Sequence, residues 1–137
     1  MTNVFISWAG GSIYPNGQYT LGSVFPLEGG KHYKISATFD YLAQGDTPPA
    51  NFPGFLYKLA LSGINGPQIP GGVLSGGTAW VWMKGSVLGL FTPSTSSNNC
   101  QLLLVTDALN LSGTGKIANF ACWLEQVELA SPPHADL

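Results

Sequence analysis

The stretch Tyr33-Lys34-Ile35-Ser36-Ala37-Thr38-Phe39-Asp40-Tyr41 places an apolar residue at every odd position and a polar one at every even position. Successive side chains of an extended strand point to opposite faces, so this alternation reads as a strand with one buried and one wet face. Other segments follow the same rule. Phe55, Tyr57, Leu59 and Leu61 repeat it, and Tyr19, Leu21, Ser23, Phe25 and Leu27 give a weaker version. Trp80 and Trp82 share one strand face, with Val81 and Met83 on the other. The run Gln101-Leu102-Leu103-Leu104-Val105-Thr106 is apolar on both faces, as expected of a central strand. Near the C-terminus Phe120, Cys122 and Leu124 lie on one parity and Val127 and Leu129 on the other. That switch predicts a bulge near Glu125-Gln126.

Strong breakers separate these runs: Gly10-Gly11, Pro15-Asn16-Gly17, Gly29-Gly30, Pro48-Pro49, Pro70-Gly71-Gly72, Gly76-Gly77, the segment 94–99 and the segment 112–115. No amphipathic helical pattern of useful length is present. Many short strands with frequent turns predict an all-β antiparallel sandwich or barrel. The segments 43–53 and 63–77 read as large loops. A chain of 137 residues is expected to form one domain, here residues 1–130, followed by a tail over 131–137. The tail, with Pro132-Pro133 and Leu137, cannot easily extend a strand and is expected to rest on a partner or on its own domain.

Charge is scarce. The chain has five Lys, no Arg and seven acids, so 9% of it is charged where a soluble domain carries about 25%. Phosphate backbones are held by Lys and Arg, so nucleic-acid binding is not expected. Disorder requires low hydrophobicity and high net charge, and a 45% apolar chain with a net charge of -2 has neither. No apolar run approaches the ~20 residues of a membrane span. Met1 to Trp8 contains no basic region ahead of an apolar core, so no secretion signal is expected and synthesis in a cytoplasm is.

Catalytic and metal-binding sets are hard to assemble. His32 and His134 are the two histidines, and no Gly-x-Ser-x-Gly elbow exists. Glycoside hydrolysis needs two facing carboxylates. Glu125 and Glu128 lie three apart and point to opposite strand faces unless a bulge intervenes, so they read as surface charges. Asp40, Asp46 and Asp107 are oxygen donors of the kind calcium takes, but they are not clustered and read as solvated charges. No catalytic residue, cofactor or metal is therefore expected. Two cysteines, Cys100 and Cys122, are too few for a zinc site. They read either as one bridge or as two buried thiols. Trp80, Trp82 and Trp123 have two readings as well: core residues, or exposed rings that contact another protein or stack on a sugar. Trp123 has parity opposite to Phe120, Cys122 and Leu124, so one of those two sets faces outward.

Three segments carry a family resemblance. FPLEGGKHYKISATFDYLA (Phe25 to Ala43) looks like an early strand of jelly-roll carbohydrate-binding modules. GLFTPSTSSNNCQLLLVTD (Gly89 to Asp107) resembles a later segment of those modules. GKIANFACWLEQVELA (Gly115 to Ala130) resembles their closing strand, with Glu125-Gln126 where the family usually carries an acidic pair. The resemblance implies a two-sheet antiparallel jelly-roll β-sandwich of the galactose-binding-like kind, without catalysis. Free-standing modules of this type resemble the decoration or cement proteins of tailed-phage heads, and also phage tail and fibre modules. What this implies is a virion protein on the capsid surface, whose partners are the major capsid protein and copies of itself, with a trimer as one arrangement and a glycan as an alternative ligand. Trp80, Trp82, Trp123, Pro132, Pro133 and Leu137 are the candidate contacts.

Overall fold

The computed structural model describes residues 3–14, 16–44, 55–64, 68–74, 82–108 and 114–128. Eight strands run through them: β1 (Asn3–Ile13), β2 (Gln18–Leu27), β3 (His32–Gln44), β4 (Phe55–Ser62), β5 (Gln68–Leu74), β6 (Trp82–Phe91), β7 (Ser97–Ala108) and β8 (Thr114–Val127). None of the described residues is helical.

The pairing has a simple logic. Strand β1 pairs with β8, β2 with β7, β3 with β6 and β4 with β5, all antiparallel, as in one long hairpin bent back on itself. Wrapping that hairpin into two layers adds the pairs β3–β8 and β4–β7. The result is a first sheet ordered β1-β8-β3-β6 and a second ordered β2-β7-β4-β5. This is an eight-stranded jelly roll, in which two Greek keys enclose one core between two sheets.

The core follows from the alternation. On β3, Tyr33, Ile35, Ala37, Phe39 and Tyr41 point inward and are buried. They meet Tyr57, Leu59 and Leu61 of β4, Leu102 and Leu104 of β7, and Phe120, Cys122 and Leu124 of β8. Phe39 sits at the centre, stacked on Phe120 at 5.9 Å and edge-on to Tyr57 at 5.3 Å. Fully burying one such side chain contributes about 1.5–3 kcal/mol. The polar tips of buried tyrosines are satisfied: Tyr57 donates to the Ser86 carbonyl at 2.8 Å, and Tyr33 accepts from the Glu28 amide at 2.9 Å. Thr106 is the buried polar residue among those described. Its hydroxyl donates to the Tyr14 carbonyl at 2.6 Å and accepts from the Gly17 amide at 3.1 Å, which pins the β1–β2 turn onto β7.

The structure departs from the sequence reading in three places. First, the parity switch in β8 lies at Asn119, not at Glu125-Gln126. Gly115 and Ile117 are buried on one parity, and Phe120, Cys122 and Leu124 on the other. Asn119 adopts the left-handed region at φ 54, and the β3–β8 register slips by one between Thr38 and Asp40. Strand β1 makes a matching break at Gly10, which has φ 123. A Cβ there would lie 2.0 Å from the Ile117 carbonyl oxygen, so only glycine fits. The β3 pairing runs without a shift from Lys34–Glu125 to His32–Val127. Second, the segment expected as one large loop contains β5. Strand propensity missed it because Pro70 and Gly71 interrupt it. Pro is tolerated on an edge strand, and Gly71 allows the Tyr57 ring to approach, since a Cβ would lie 2.3 Å from a ring carbon. Third, β3 continues to Gln44, past the Ala43 at which a loop is expected.

Candidate functional site: an apolar band on one sheet face

The outward positions of the first sheet form rows across its four strands. Pairing sets Phe5 beside Trp123, Trp123 beside Ser36, and Ser36 beside Leu88. The adjacent row reads Asn3, Glu125, Lys34 and Leu90. Phe5, Leu88 and Leu90 are 57%, 70% and 64% exposed, and Trp123 is 47% exposed. A monomer gains nothing from holding four large apolar side chains in water within two neighbouring rows, so such a patch marks a contact surface. The Phe5 and Trp123 rings lie 5.3 Å apart, tilted by 45°. Beside them is a shallow depression of about 370 Å³, lined by Asn3, Val4, Phe5, Ser36, Trp123, Leu124 and Glu125.

Four charges on this face are paired, and Lys116 is exposed on β8 at its far end. Lys34 Nζ lies 3.8 Å from Glu125 Oε1, with both side chains about half exposed. At the far end Lys84 donates to Asp40, which also accepts from Asn119 Nδ2 at 2.9 Å. The hydrogen bonds from Lys84 and Asn119 hold the Asp40 carboxyl below its ordinary value.

Of the residues singled out from sequence, Trp123 lies in the band. Trp82 lies on the same face, 50% exposed, opposite Leu42 near the far end. Neither fills the core. Met83, on the other parity, packs against the core. Trp80, Pro132, Pro133 and Leu137 lie outside the described residues, as do Asp46 and His134. Cys100 and Cys122 are buried, unbridged and on opposite sheets. Burial pushes the Cys122 thiol up to about 12, and also raises that of Cys100. Glu125 is taken by Lys34, and Glu128 is exposed beyond the end of β8. Asp40 and Asp107 lie on different sheets. Among the described residues no group of three His, Cys, Asp or Glu gathers to hold a metal, and no helix is long and apolar enough to cross a membrane.

Phe5, Leu88 and Leu90 were missed by the sequence reading. A signal existed. Asn3–Ile13 and Trp82–Phe91 carry apolar residues on both parities, which normally marks a central strand, yet β1 and β6 are the edges of their sheet. An edge strand apolar on both faces needs a cover on its outer face.

No protein-family model matches the chain, and no curated protein sequence does. Among solved structures, it is similar to a chain of infectious bursal disease virus Gt strain, with 10% identity and a TM-score of 0.56 over 90% of this chain and 31% of that one. The Gx strain of the same virus gives 10% identity and a TM-score of 0.54 over 96% and 33%. The C-terminal CBM6 of LamC, a marine laminarinase from Zobellia galactanivorans, gives 16% identity and a TM-score of 0.40 over 88% and 98%. At these identities the likeness to the viral chains is one of fold, and the present chain spans about a third of their length.

Proposed function

We propose that the protein is a non-catalytic virion structural protein: a jelly-roll subunit on the surface of a tailed-phage capsid, bound to the major capsid protein and to neighbouring copies of itself. The observation that carries this reading is the exposed band of Phe5, Trp123, Leu88 and Leu90, whose neighbouring charges Lys34 and Glu125 are paired with each other. A subunit covered by neighbours needs little charge for solubility, which accounts for a chain that is only 9% charged. Contacts of this kind are driven by apolar burial and main-chain hydrogen bonds, with little electrostatic component. Binding to heads bearing the major capsid protein encoded in the same genome is therefore expected to survive an increase from about 0.05 to 0.5 M salt, a range over which exposed charge pairs are screened. Co-sedimentation tests this, and a chain that stays in the supernatant at every salt concentration sinks the proposal.

A second reading, a carbohydrate-binding role, is favoured by the Phe5–Trp123 ring pair beside Asn3, Ser36 and Glu125. Aromatic faces stack on sugar rings while neighbouring polar groups accept and donate to hydroxyls. This reading predicts a glycan-array signal that Trp123→Ala abolishes. An empty array with wild-type protein removes it.

A further inference from the structure

We propose that the outer face of the β1-β8-β3-β6 sheet is a two-fold interface with a second copy of this chain. This does not rest on the virion role. It assigns the apolar band to self-association and leaves the rest of the surface to any other partner.

Consider a half-turn about an axis that runs along the strands, midway between β8 and β3, in the plane where two such faces meet. It lays β8 on the second copy's β3, and β1 on the second copy's β6, without changing rows. Trp123 then meets the small Ser36 of the second copy, and Phe5 meets its Leu88. Leu88 and Leu90 descend toward the depression that Asn3, Phe5, Trp123 and Glu125 line. Glu125 of each copy meets Lys34 of the other. Within one chain these two charges stand a loose 3.8 Å apart, so each has room for a second partner. In the next row Ser7 meets Ser86 and Ala121 meets Thr38. At the far end Asp40 meets the strand that carries Asn119, and Lys84 meets β1, which has no charged residue. No like charges face each other, and every contact occurs twice, as an isologous interface requires.

The competing half-turn, about an axis across the strands, fits worse. It brings Lys34 to Asp40 only by laying Leu90 on Lys84 and Leu88 on Ser86, so the apolar band faces polar groups. The available area is also adequate. Four strands at about 4.8 Å spacing and roughly ten residues at about 3.3 Å rise give about 600 Å² for each copy. About 1,200 Å² in total is the lower bound of a specific interface. Aligned sheets pack with strands about 30° apart, which a tilt of the axis by about 15° from the strands gives.

The test is sedimentation equilibrium of the full chain in four samples: wild type, Glu125→Lys, Lys34→Glu, and an equimolar mixture of those two variants. Glu125→Lys carries two positive charges where the copies meet and Lys34→Glu carries two negative ones, so each repels itself. The mixture restores opposite charges across the interface. Wild type is expected at twice the 14.4 kDa chain mass. Each variant alone is expected to associate at least about ten-fold more weakly, and the mixture to recover that loss. A monomeric wild type, variants that associate like wild type, or a mixture no tighter than its components would each overturn the proposal. Thermal melts check that the variants fold. If either does not, the Leu88→Ser/Leu90→Ser double variant takes its place, and dimerisation of wild-type strength by that protein overturns the interface. A monomer that still binds capsids refutes this inference and leaves the virion role standing. A dimer that binds no capsid does the reverse.

Discussion

The two outer faces of the sandwich are built from the same alternation but dispose of their apolar residues differently. On the second sheet Leu103 and Val105 stand on the central strand β7. Thr20 and Ala60 flank Leu103, and Gln18 and Lys58 flank Val105, so both are half-buried. Long polar side chains cover such residues with their aliphatic stems. On the first sheet Phe5 and the pair Leu88 and Leu90 stand on the edge strands β1 and β6, where a neighbour exists on one side only, and Trp123 rises beside the small Ser36. The contrast teaches that grouping, rather than apolar content, marks a face awaiting a cover: the second sheet's exposed Val24 and Leu56 stand on β2 and β4, which do not pair, while the first face gathers its four in two neighbouring rows.

Both faces share one interior, and its disruption should have the largest effect. Phe39→Ala removes the ring between Phe120 and Tyr57, and is expected to cost about 3–5 kcal/mol in denaturant unfolding, with both faces lost together. A smaller effect on stability would mean that the sheets do not depend on this contact. Next comes Trp123→Ser on the first face. It is expected to weaken association by about 2 kcal/mol or more, as removal of a central aromatic anchor does, while leaving the melting temperature close to wild type at dilutions where both are monomeric. Its counterpart Leu103→Ser on the second face should do the opposite: about 1 kcal/mol of stability lost and association unchanged. If the two variants exchange behaviours, the assignment of the faces is wrong.

Between the faces, Cys122 offers a test of closure. With its thiol pushed up to about 12 by burial, almost none is thiolate at pH 8. Native protein should therefore not react with a disulfide reagent there, and both cysteines should react once urea opens the sandwich. Rapid labelling of the folded chain would show that the sheets part. The smallest effect belongs to the polar end of the first face. Asp40 is held below its ordinary value of 3.8 by Lys84 and Asn119. Its contribution is present above 3.8 and disappears as pH falls through the lowered folded-state value. Asp40→Asn should therefore melt slightly below wild type at pH 7 and together with it at pH 2. A difference that persists at pH 2 would show that the carboxylate charge is not the cause.

Much of the fold was legible. The strict alternation from Tyr33 to Tyr41 and the parities of Tyr57, Leu59, Leu61, Phe120, Cys122 and Leu124 all point the way the structure has them. The double-faced apolar run of Gln101 to Thr106 does lie on a central strand. What escaped has physical causes. Strand β5 contains Pro70 and two glycines and is held by its position at the edge over Tyr57, which no propensity records. The break in β8 depends on the left-handed conformation of Asn119 opposite the glycine-permitted kink of β1, a pairing that period-two counting does not see. Of the twelve charges, Lys34, Asp40, Lys58, Lys84, Asp107, Lys116 and Glu125 lie in strands. The band itself was half legible. Alternation separates Phe5 from Val4 and Ile6, and Leu88 from Val87, but cannot say which set faces inward. That needs the strand order, which makes β1 and β6 edges.

The most direct test of the central claim, that the first sheet's outer face is covered by protein, is hydroxyl-radical footprinting of the full chain across a dilution series. Oxidation of Phe5, Trp123, Leu88 and Leu90 is expected to fall as concentration rises, while that of Leu103 and Val105 stays constant. Equal oxidation of Phe5 and Trp123 at every concentration, or protection that appears instead on the second face, would contradict the account.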